Sequence, residues 1–467
     1  MSLNQLSDIF IAQFGTCPDT VLPLAGSGSN RRYYRLAAGS DTAIGCIGTS
    51  EEENSRFIRY DRFFHGNGIN VPYIYGVSGS GMEYLMQDLG DSSLFGMLHT
   101  AEGERLVEET MRDLARLQTL SGTDDLVAGQ RAEFSRRMVM FDLNYFKYEF
   151  LKPLATEFDE YALQDDFEKL AEELADYPEE MSGFMYRDCQ SRNVMIREGK
   201  PWWIDFQGGM RGPCVYDAAS FLWQAKAGFS DAFRKRMTDV YLDSISIYRK
   251  IDTRLWREYI DRMAAFRTLQ VLGAYGFRGL VEKKSHFIES IPPALGNLAS
   301  LTDHFEKYPE LSRVVRSLAK ARKFDKKDNG GRLCVNVFSF SYKKGYPDDF
   351  SGNGGGFMFD CRGMHNPGRY DEYKTLTGLD QPVIEFLEKR GEVQRFVGEL
   401  LPPVERTVSR YLDRGFTSLQ IGFGCTGGRH RSVYCAEMAA RILAGKFPQA
   451  IIKLTHREQD IQKTYNA

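Results

Sequence analysis

The chain has 467 residues, 42% hydrophobic and 26% charged, and its 60 Lys and Arg against 63 Asp and Glu leave a net charge of −3. This composition excludes global disorder, a collagen-like chain and a long coiled coil, and the near balance of charge argues against a dedicated nucleic-acid binder. Eight cysteines without a single C-x-x-C pair exclude a disulfide scaffold and a zinc ribbon, so reduced thiols and a cytoplasmic location are expected.

In chain order, Met1–Gly15 lacks a basic stretch ahead of an apolar core, so no signal peptide is expected. Tyr33–Leu36 and Thr42–Ile47 read as strands bounded by Gly and Ser. Glu51–His65 reads as a helix, with Phe57, Tyr60 and Phe64 at helical spacing and three glutamates in its first turn, where the helix dipole favours anions. Val71–Val77 and Met82–Gln87 read as further strands. From Ser92 the pattern turns helical, as in the stripe Val107, Met111, Leu114 and Leu117. A strand-rich island, Phe184–Phe206, interrupts the helices. The run Lys320–Asp328, KARKFDKKD, reads as an interdomain linker. Beyond Arg332, LCVNVFSFSY and GGFMFDCRG read as buried strands and Val383–Arg414 as two helices. SLQIGFG then reads as a strand running into the helix SVYCAEMAARILAG. No stretch of about 18 apolar residues occurs, so no membrane partner is expected.

The most informative segment is Tyr186-Arg187-Asp188-Cys189-Gln190-Ser191-Arg192-Asn193, followed by Ile204-Asp205-Phe206. An Asp, an Asn five residues on and a second Asp after a hairpin make a phosphoryl-transfer set. The first Asp orients the attacking hydroxyl or accepts its proton; the Asn and second Asp offer the oxygen ligands that Mg²⁺ requires. YRDCQSRN…WIDFQGGMRGPCVYD resembles the signature of aminoglycoside phosphotransferase-like kinases, most closely the anomeric sugar kinases of the AmgK type. GSGSNRRYYRL and MQDLGD resemble that group's N-terminal stretch and hinge. The resemblance implies Asp188 as catalytic base and Asn193 and Asp205 as metal ligands. It implies an ATP site built from Gly26, Ser27, Gly28, Ser29, Asn30 and Arg32, with the hinge residues Gln87, Asp88 and Leu89. ATP as co-substrate and Mg²⁺ follow from the same resemblance. Asp217 is expected to anchor the catalytic loop, and Tyr186, in place of the usual His, to pack and hydrogen-bond. The third strand carries no lysine for the α- and β-phosphates, and Arg31, Arg32 or Arg35 could supply that charge.

Near the C-terminus, Cys425, Thr426, Gly427, Gly428, Arg429, His430, Arg431 and Ser432 fall between a strand and a helix. Paired glycines let N–H groups converge at a helix start flanked by two arginines, an arrangement for binding an anion, above all phosphate. The spacing Cys425–Arg431 is also the C-x5-R of phosphatases that use a cysteine nucleophile. GCTGGRHRSV, with SFSYKKGYP, FMFDCRGMHNPG and LTGLDQPV ahead of it, resembles the C-terminal domain of RapZ. That resemblance implies an amino-sugar phosphate ligand and leaves a protein or RNA partner open. The family's N-P-H appears here as Asn366-Pro367-Gly368.

The reading is an α+β protein-kinase-like bilobal domain followed by an α/β domain. Its parts are 1–320 (small lobe 1–90, helical lobe 91–320), a linker at 321–331 and a phosphosugar-binding domain at 332–467. The expected function is ATP- and Mg-dependent phosphorylation of a sugar or amino-sugar hydroxyl. The alternative is a regulatory adapter that binds nucleotide and phosphosugar and acts through a protein or RNA partner.

Overall fold

The computed structural model describes residues 2–24, 31–128, 133–320, 331–347, 356–389 and 391–466. The chain divides into two compact units, Met1–Val281 with Glu289–Ala321, and Glu282–Ile288 with Arg322–Ala467. Among the described residues no helix is long and apolar enough to cross a membrane. The expected phosphate loop at 26–30 and most of the expected linker lie outside the described residues.

The first unit opens with a five-stranded antiparallel sheet, β1 (Thr20–Pro23), β2 (Arg32–Ala38), β3 (Asp41–Ile47), β4 (Ile74–Val77) and β5 (Glu83–Gln87), in the order β1-β2-β3-β5-β4. The helix Ser2–Phe14 packs Leu6 and Phe10 against Leu36, Ala43 and Leu85 of that sheet. The sheet gives way where the helix arrives: a Cβ at Gly45 would lie 2.7 Å from Leu6, and one at Gly76 2.6 Å from Ile9. Neither this helix nor β1 is among the elements expected from the sequence above.

The helix Glu51–Gly66 couples this sheet to the helical lobe. Ser50 caps it by accepting from the Glu53 N–H. Phe57 stacks on Tyr84 of β5 on one side and on Phe206 on the other, with ring centroids 5.3 and 4.8 Å apart. The Tyr60 hydroxyl donates to the Gly209 carbonyl.

The helical lobe is built on the helices Ala101–Gln118, Arg136–Phe146, Glu160–Ala175, Asp231–Ser246 and Thr253–Tyr275. The predicted stripe Val107, Met111, Leu114 and Leu117 is fully buried. Two short antiparallel pairs interrupt the helices: β6 (Ser182–Met185) with β9 (Met210–Pro213), and the hairpin β7 (Val194–Arg197) with β8 (Lys200–Trp203). Glu198 and Gly199 both take positive φ, as the tight twist-matched turns of two-residue hairpins require.

In the second unit, β10 (Cys334–Ser341), β11 (Phe357–Asp360), β12 (Ser418–Cys425), β13 (Ile451–His456) and β14 (Ile461–Tyr465) form one sheet ordered β11-β12-β10-β13-β14. All neighbours run parallel except β13 and β14. The helices Gln381–Glu388, Glu392–Asp413 and Arg431–Lys446 contribute Val383, Val397, Val404 and Ala436 to its core. The chain leaves β10 toward β11 on one side and later crosses to β13 on the other. The carboxyl ends of β10 and β12 therefore meet at a topological switch, where open α/β sheets bind ligands.

Candidate functional site

The loop between β6 and β7 holds Asp188. Its base is fixed by Asp217, fully buried in the helix Val215–Leu222, whose carboxylate accepts from the backbone N–H of Tyr186 (2.6 Å) and of Arg187 (2.8 Å). Gln118 donates to the same carboxylate at 2.8 Å, and Tyr241 in turn donates to Gln118. Arg187 sits in the left-handed region at φ 76°, a conformation an arginine holds only when its surroundings impose it. Asp217 is thus the structural anchor the sequence suggests; Gln118 and Tyr241, its supports, lie far away in sequence and carry no motif.

Asn193 and Asp205 meet across the hairpin. The Asn193 amide donates to the Asp188 carbonyl (2.9 Å) and to Asp205 Oδ2 (3.3 Å), which leaves its oxygen for a ligand. Gln207 donates to Asp205 Oδ1 at 2.7 Å. Asp205 also holds a positive φ, 67°, steadied from both sides: Ile204 N–H donates to the Asn193 carbonyl, and the Tyr186 hydroxyl donates to the Ile204 carbonyl. Tyr186 therefore packs on Trp203 and hydrogen-bonds across the loop. Burial, with Asp188 nearby, pushes the Asp205 carboxyl upward, a cost that a divalent cation would relieve. Among the described residues no group of three or more His, Cys, Asp or Glu makes a ready metal cage. Two oxygen donors nonetheless fit Mg²⁺, which takes most of its shell from phosphates and water.

Of the three candidate arginines, Arg31 is 4% exposed, and its Nη2 lies 3.1 Å from Glu53 Oε1. Both side chains are within electrostatic reach of Asp205. Arg32 is exposed on β2. Arg35 is engaged at the hinge, where it donates to both Asp88 oxygens and both Asp91 oxygens. Asp88 also accepts from Gly90 N–H through its side chain and from Arg197 through its carbonyl. Gln87 is bonded to Tyr73 in both directions, and Leu89 is buried. The hinge is thereby tied to both sheets around it.

In the second unit, β12 ends at Cys425, and the helix Arg431–Lys446 begins six residues on. Gly428, at φ 65°, admits no side chain: a Cβ would lie 2.4 Å from Glu458 and 2.9 Å from the Ser341 nitrogen. The Ser341 hydroxyl donates to the Thr426 carbonyl. Arg431 is 5% exposed, and its Nη1 donates to the carbonyls of Arg362 and Met364, both at 2.9 Å. Arg429 is exposed and donates to Thr375 O. His430 donates to the Tyr373 carbonyl; burial, with Arg429 and Arg431 nearby, holds its imidazole below the ordinary range. Positive charge at this loop therefore comes from the arginines. Cys425 is buried, with its sulfur 3.1 Å from the Ser432 hydroxyl. Gly368, in place of the family's histidine, packs beside His430, where a Cβ would lie 3.3 Å from the ring.

Residues 20–258 match the model of the phosphotransferase enzyme family, and residues 333–460 match that of the RapZ C-terminal domain. A nucleotide-binding protein of Acidithiobacillus ferrooxidans is 40% identical over 132 residues, 28% of this chain and 42% of that one. One of Pseudoalteromonas translucida is 36% identical over 173 residues, 35% of this chain and 55% of that one. The chain spans about half the length of these curated relatives. Among solved structures, an amicoumacin kinase with AMP-PNP, Ca²⁺ and Ami superposes at a TM-score of 0.44 and 12% identity, covering 59% of this chain and 86% of that one. A choline kinase of Cryptosporidium parvum superposes at 0.43 and 12%, covering 64% and 93%.

Proposed function

We propose, for a chain that belongs to the phosphotransferase enzyme family, that it transfers the γ-phosphoryl group of ATP to a hydroxyl of a sugar or amino sugar. The observation that carries this reading is the convergence of Asp188, Asn193 and Asp205 on one loop and hairpin clamped by Asp217. Asp188 aligns the acceptor hydroxyl and takes its proton as the bond to phosphorus forms. Asn193 and Asp205 offer the oxygens that would hold Mg²⁺, which when bound would neutralise charge on the nucleotide phosphates. Arg31, held by Glu53, stands for the absent strand lysine and brings to the α- and β-phosphates a guanidinium, a group that suits phosphate. The backbone of Gln87–Leu89 would meet the base.

The loop Cys425–Ser432 of the second unit is read as a site for a phosphosugar or phosphate, because a helix start, a glycine turn and two arginines converge there. The test is product analysis by phosphorus NMR after incubation with ATP, Mg²⁺ and amino sugars. A sugar phosphate supports the reading, and a doublet from a 1-phosphate would fix the anomeric hydroxyl as acceptor. ATP consumption without any phosphorylated sugar counts against it.

A further inference from the structure

Beside Asp188 lies a set of side chains that phosphate transfer itself does not use. Asp142, on the helix Arg136–Phe146, is 4% exposed, and its Oδ2 has no hydrogen-bond partner. Gln270 stands beside the Asp142 carboxylate, and Arg267, Arg187 and Asp188 are its charged neighbours. Gln270 is itself oriented by the Tyr216 hydroxyl, at 2.8 Å, and by Arg267. Arg267 also donates to the Ser220 hydroxyl at 3.1 Å, and its Nη2 stands 4.0 Å from Asp188 Oδ1. A buried carboxylate oxygen left open costs about 1–3 kcal/mol unless something fills it.

The same helix offers an apolar surface. Phe141 is 68% exposed and lies parallel to Tyr145 at 6.3 Å, and Tyr145 in turn meets Phe277 at 6.1 Å. Tyr145 shares the Asp142 face, three residues on. Phe277 falls in a π-helical turn, Gly276–Val281, that extends the helix Thr253–Tyr275, and a second such turn, Lys147–Leu151, extends the Asp142 helix. The two helices cross at glycines: a Cβ at Gly273 would lie 2.8 Å from the Phe146 nitrogen, and one at Gly276 2.1 Å from the Glu149 carbonyl oxygen. π-turns of this kind recur at functional sites because they re-aim side chains.

We propose that Asp142 and Arg267 form the acceptor subsite beside Asp188, with Phe141 and Tyr145 as its apolar wall, and that it takes a hydroxylated ring without positive charge. This deepens the phosphotransfer reading and rests on it. Asp142 supplies an acceptor for ring hydroxyls and Arg267 a donor, while the aromatic wall suits the C–H face of a saccharide. Arg187 and Arg267 offset the charge of Asp142 and Asp188, so the site has no surplus of negative charge to draw a polycation.

The test uses the full chain, with N-acetylglucosamine as the saccharide probe and kanamycin as the polycation. Saturation-transfer NMR is recorded on the wild type, Asp142→Asn and Phe141→Ala, each loaded with Mg²⁺ and AMP-PNP. The expected result is saccharide binding to the wild type that weakens about ten- to a hundredfold in Asp142→Asn, the loss of one charge-assisted contact. Nucleotide affinity should stay unchanged, and kanamycin should not compete. Equal saccharide affinity in wild type and Asp142→Asn, no saccharide binding to the wild type, or displacement by kanamycin overturns the subsite. Phe141→Ala, at an exposed position, decides the matter if Asp142→Asn does not fold: its saccharide signals should fall, and unchanged signals overturn the subsite. Failure of the wild type to bind AMP-PNP overturns the phosphotransfer reading instead.

Discussion

Arg31 Nη2 lies 3.1 Å from Glu53 Oε1, in a chain whose third strand, Asp41–Ile47, carries no lysine. The pair is nearly closed to solvent on the arginine side, and Ser50 fixes Glu53 in the first helical turn. An arginine anchored in this way is the proposed substitute for that lysine. Arg31→Ala is expected to lower kcat about a hundred- to a thousandfold, as the loss of a transition-state charge contact does. ADP affinity should fall with it while adenosine affinity holds. Titration of both ligands checks this; equal weakening of the two would reduce Arg31 to a packing role.

Asp188 and Asp205 differ in what surrounds them, and their variants should differ in kind. Asp188→Asn keeps the shape of the loop but removes proton acceptance, so nucleotide binding should persist while turnover falls about 10²–10⁴-fold. Asp205→Ala should abolish the Mg²⁺ dependence of nucleotide binding. Near-normal kinetics of Asp188→Asn on a true acceptor would dismiss it as the base.

Local signals in this chain are legible where one segment carries the whole device. The Asp188 loop, the β7–β8 hairpin, the Cys425–Ser432 turn and the apolar stripe of Ala101–Gln118 each announce themselves through spacing. What spacing cannot show is which distant side chains close on them. Glu53 reads as a dipole-favoured acid at a helix start, and only the folded sheet brings it to Arg31. Gln118, Asp142 and Arg267 sit among many similar residues on helices, and only the packing of those helices brings Gln118 to Asp217, and Asp142 and Arg267 to the neighbourhood of Asp188. In the second unit, the break between Gln381–Glu388 and Glu392–Asp413 falls at Gly391, φ 63°, whereas Pro402 and Pro403 lie inside the second helix.

Asp217 carries the loop mechanically. Asp217→Ala would strand the N–H groups of Tyr186 and Arg187 and the Gln118 amide in a buried place. A loss of about 2–4 kcal/mol is expected, read from denaturant melts. Turnover should drop as well, since Arg187 would leave its left-handed conformation and Asp188 with it. A variant of normal stability would mean that the loop is held by other contacts.

The second unit should be acid-sensitive through Glu437. Burial alone would raise this carboxyl, but hydrogen bonds from His456 and Lys463 outweigh it and hold it down at about 2. A carboxyl depressed in the folded state stabilises above its unfolded value and loses that contribution as pH falls. Up to about 3 kcal/mol should therefore disappear between about pH 4.5 and pH 2. Trp202, Trp203, Trp223 and Trp256 all lie in the first unit, so tryptophan fluorescence should miss this loss. Hydrogen exchange along β13 and β14 should reveal it, and Glu437→Gln should flatten the pH dependence. An unchanged slope in that variant would assign the acid loss to other groups.

The two arginines of the C-terminal turn should behave differently. Arg431 is committed to the carbonyls of Arg362 and Met364, so Arg431→Ala should cost about 2–4 kcal/mol of stability as well as any ligand affinity. Arg429 is exposed and makes one long contact, at 3.3 Å, so Arg429→Ala should leave stability alone. Its effect should be a ten- to a hundredfold loss of affinity for glucosamine 6-phosphate, about the value of one charge-assisted contact. Cys425 separates binding from hydrolysis. Its sulfur is buried against the Ser432 hydroxyl, and the neighbouring Arg431 guanidinium is turned to backbone carbonyls. Cys425→Ser should therefore bind the phosphosugar as the wild type does, and the wild type should release no phosphate from it. Mass spectrometry after incubation with the phosphosugar checks this directly: a phosphocysteine at Cys425 would make the turn a phosphatase site and end the binding-only reading.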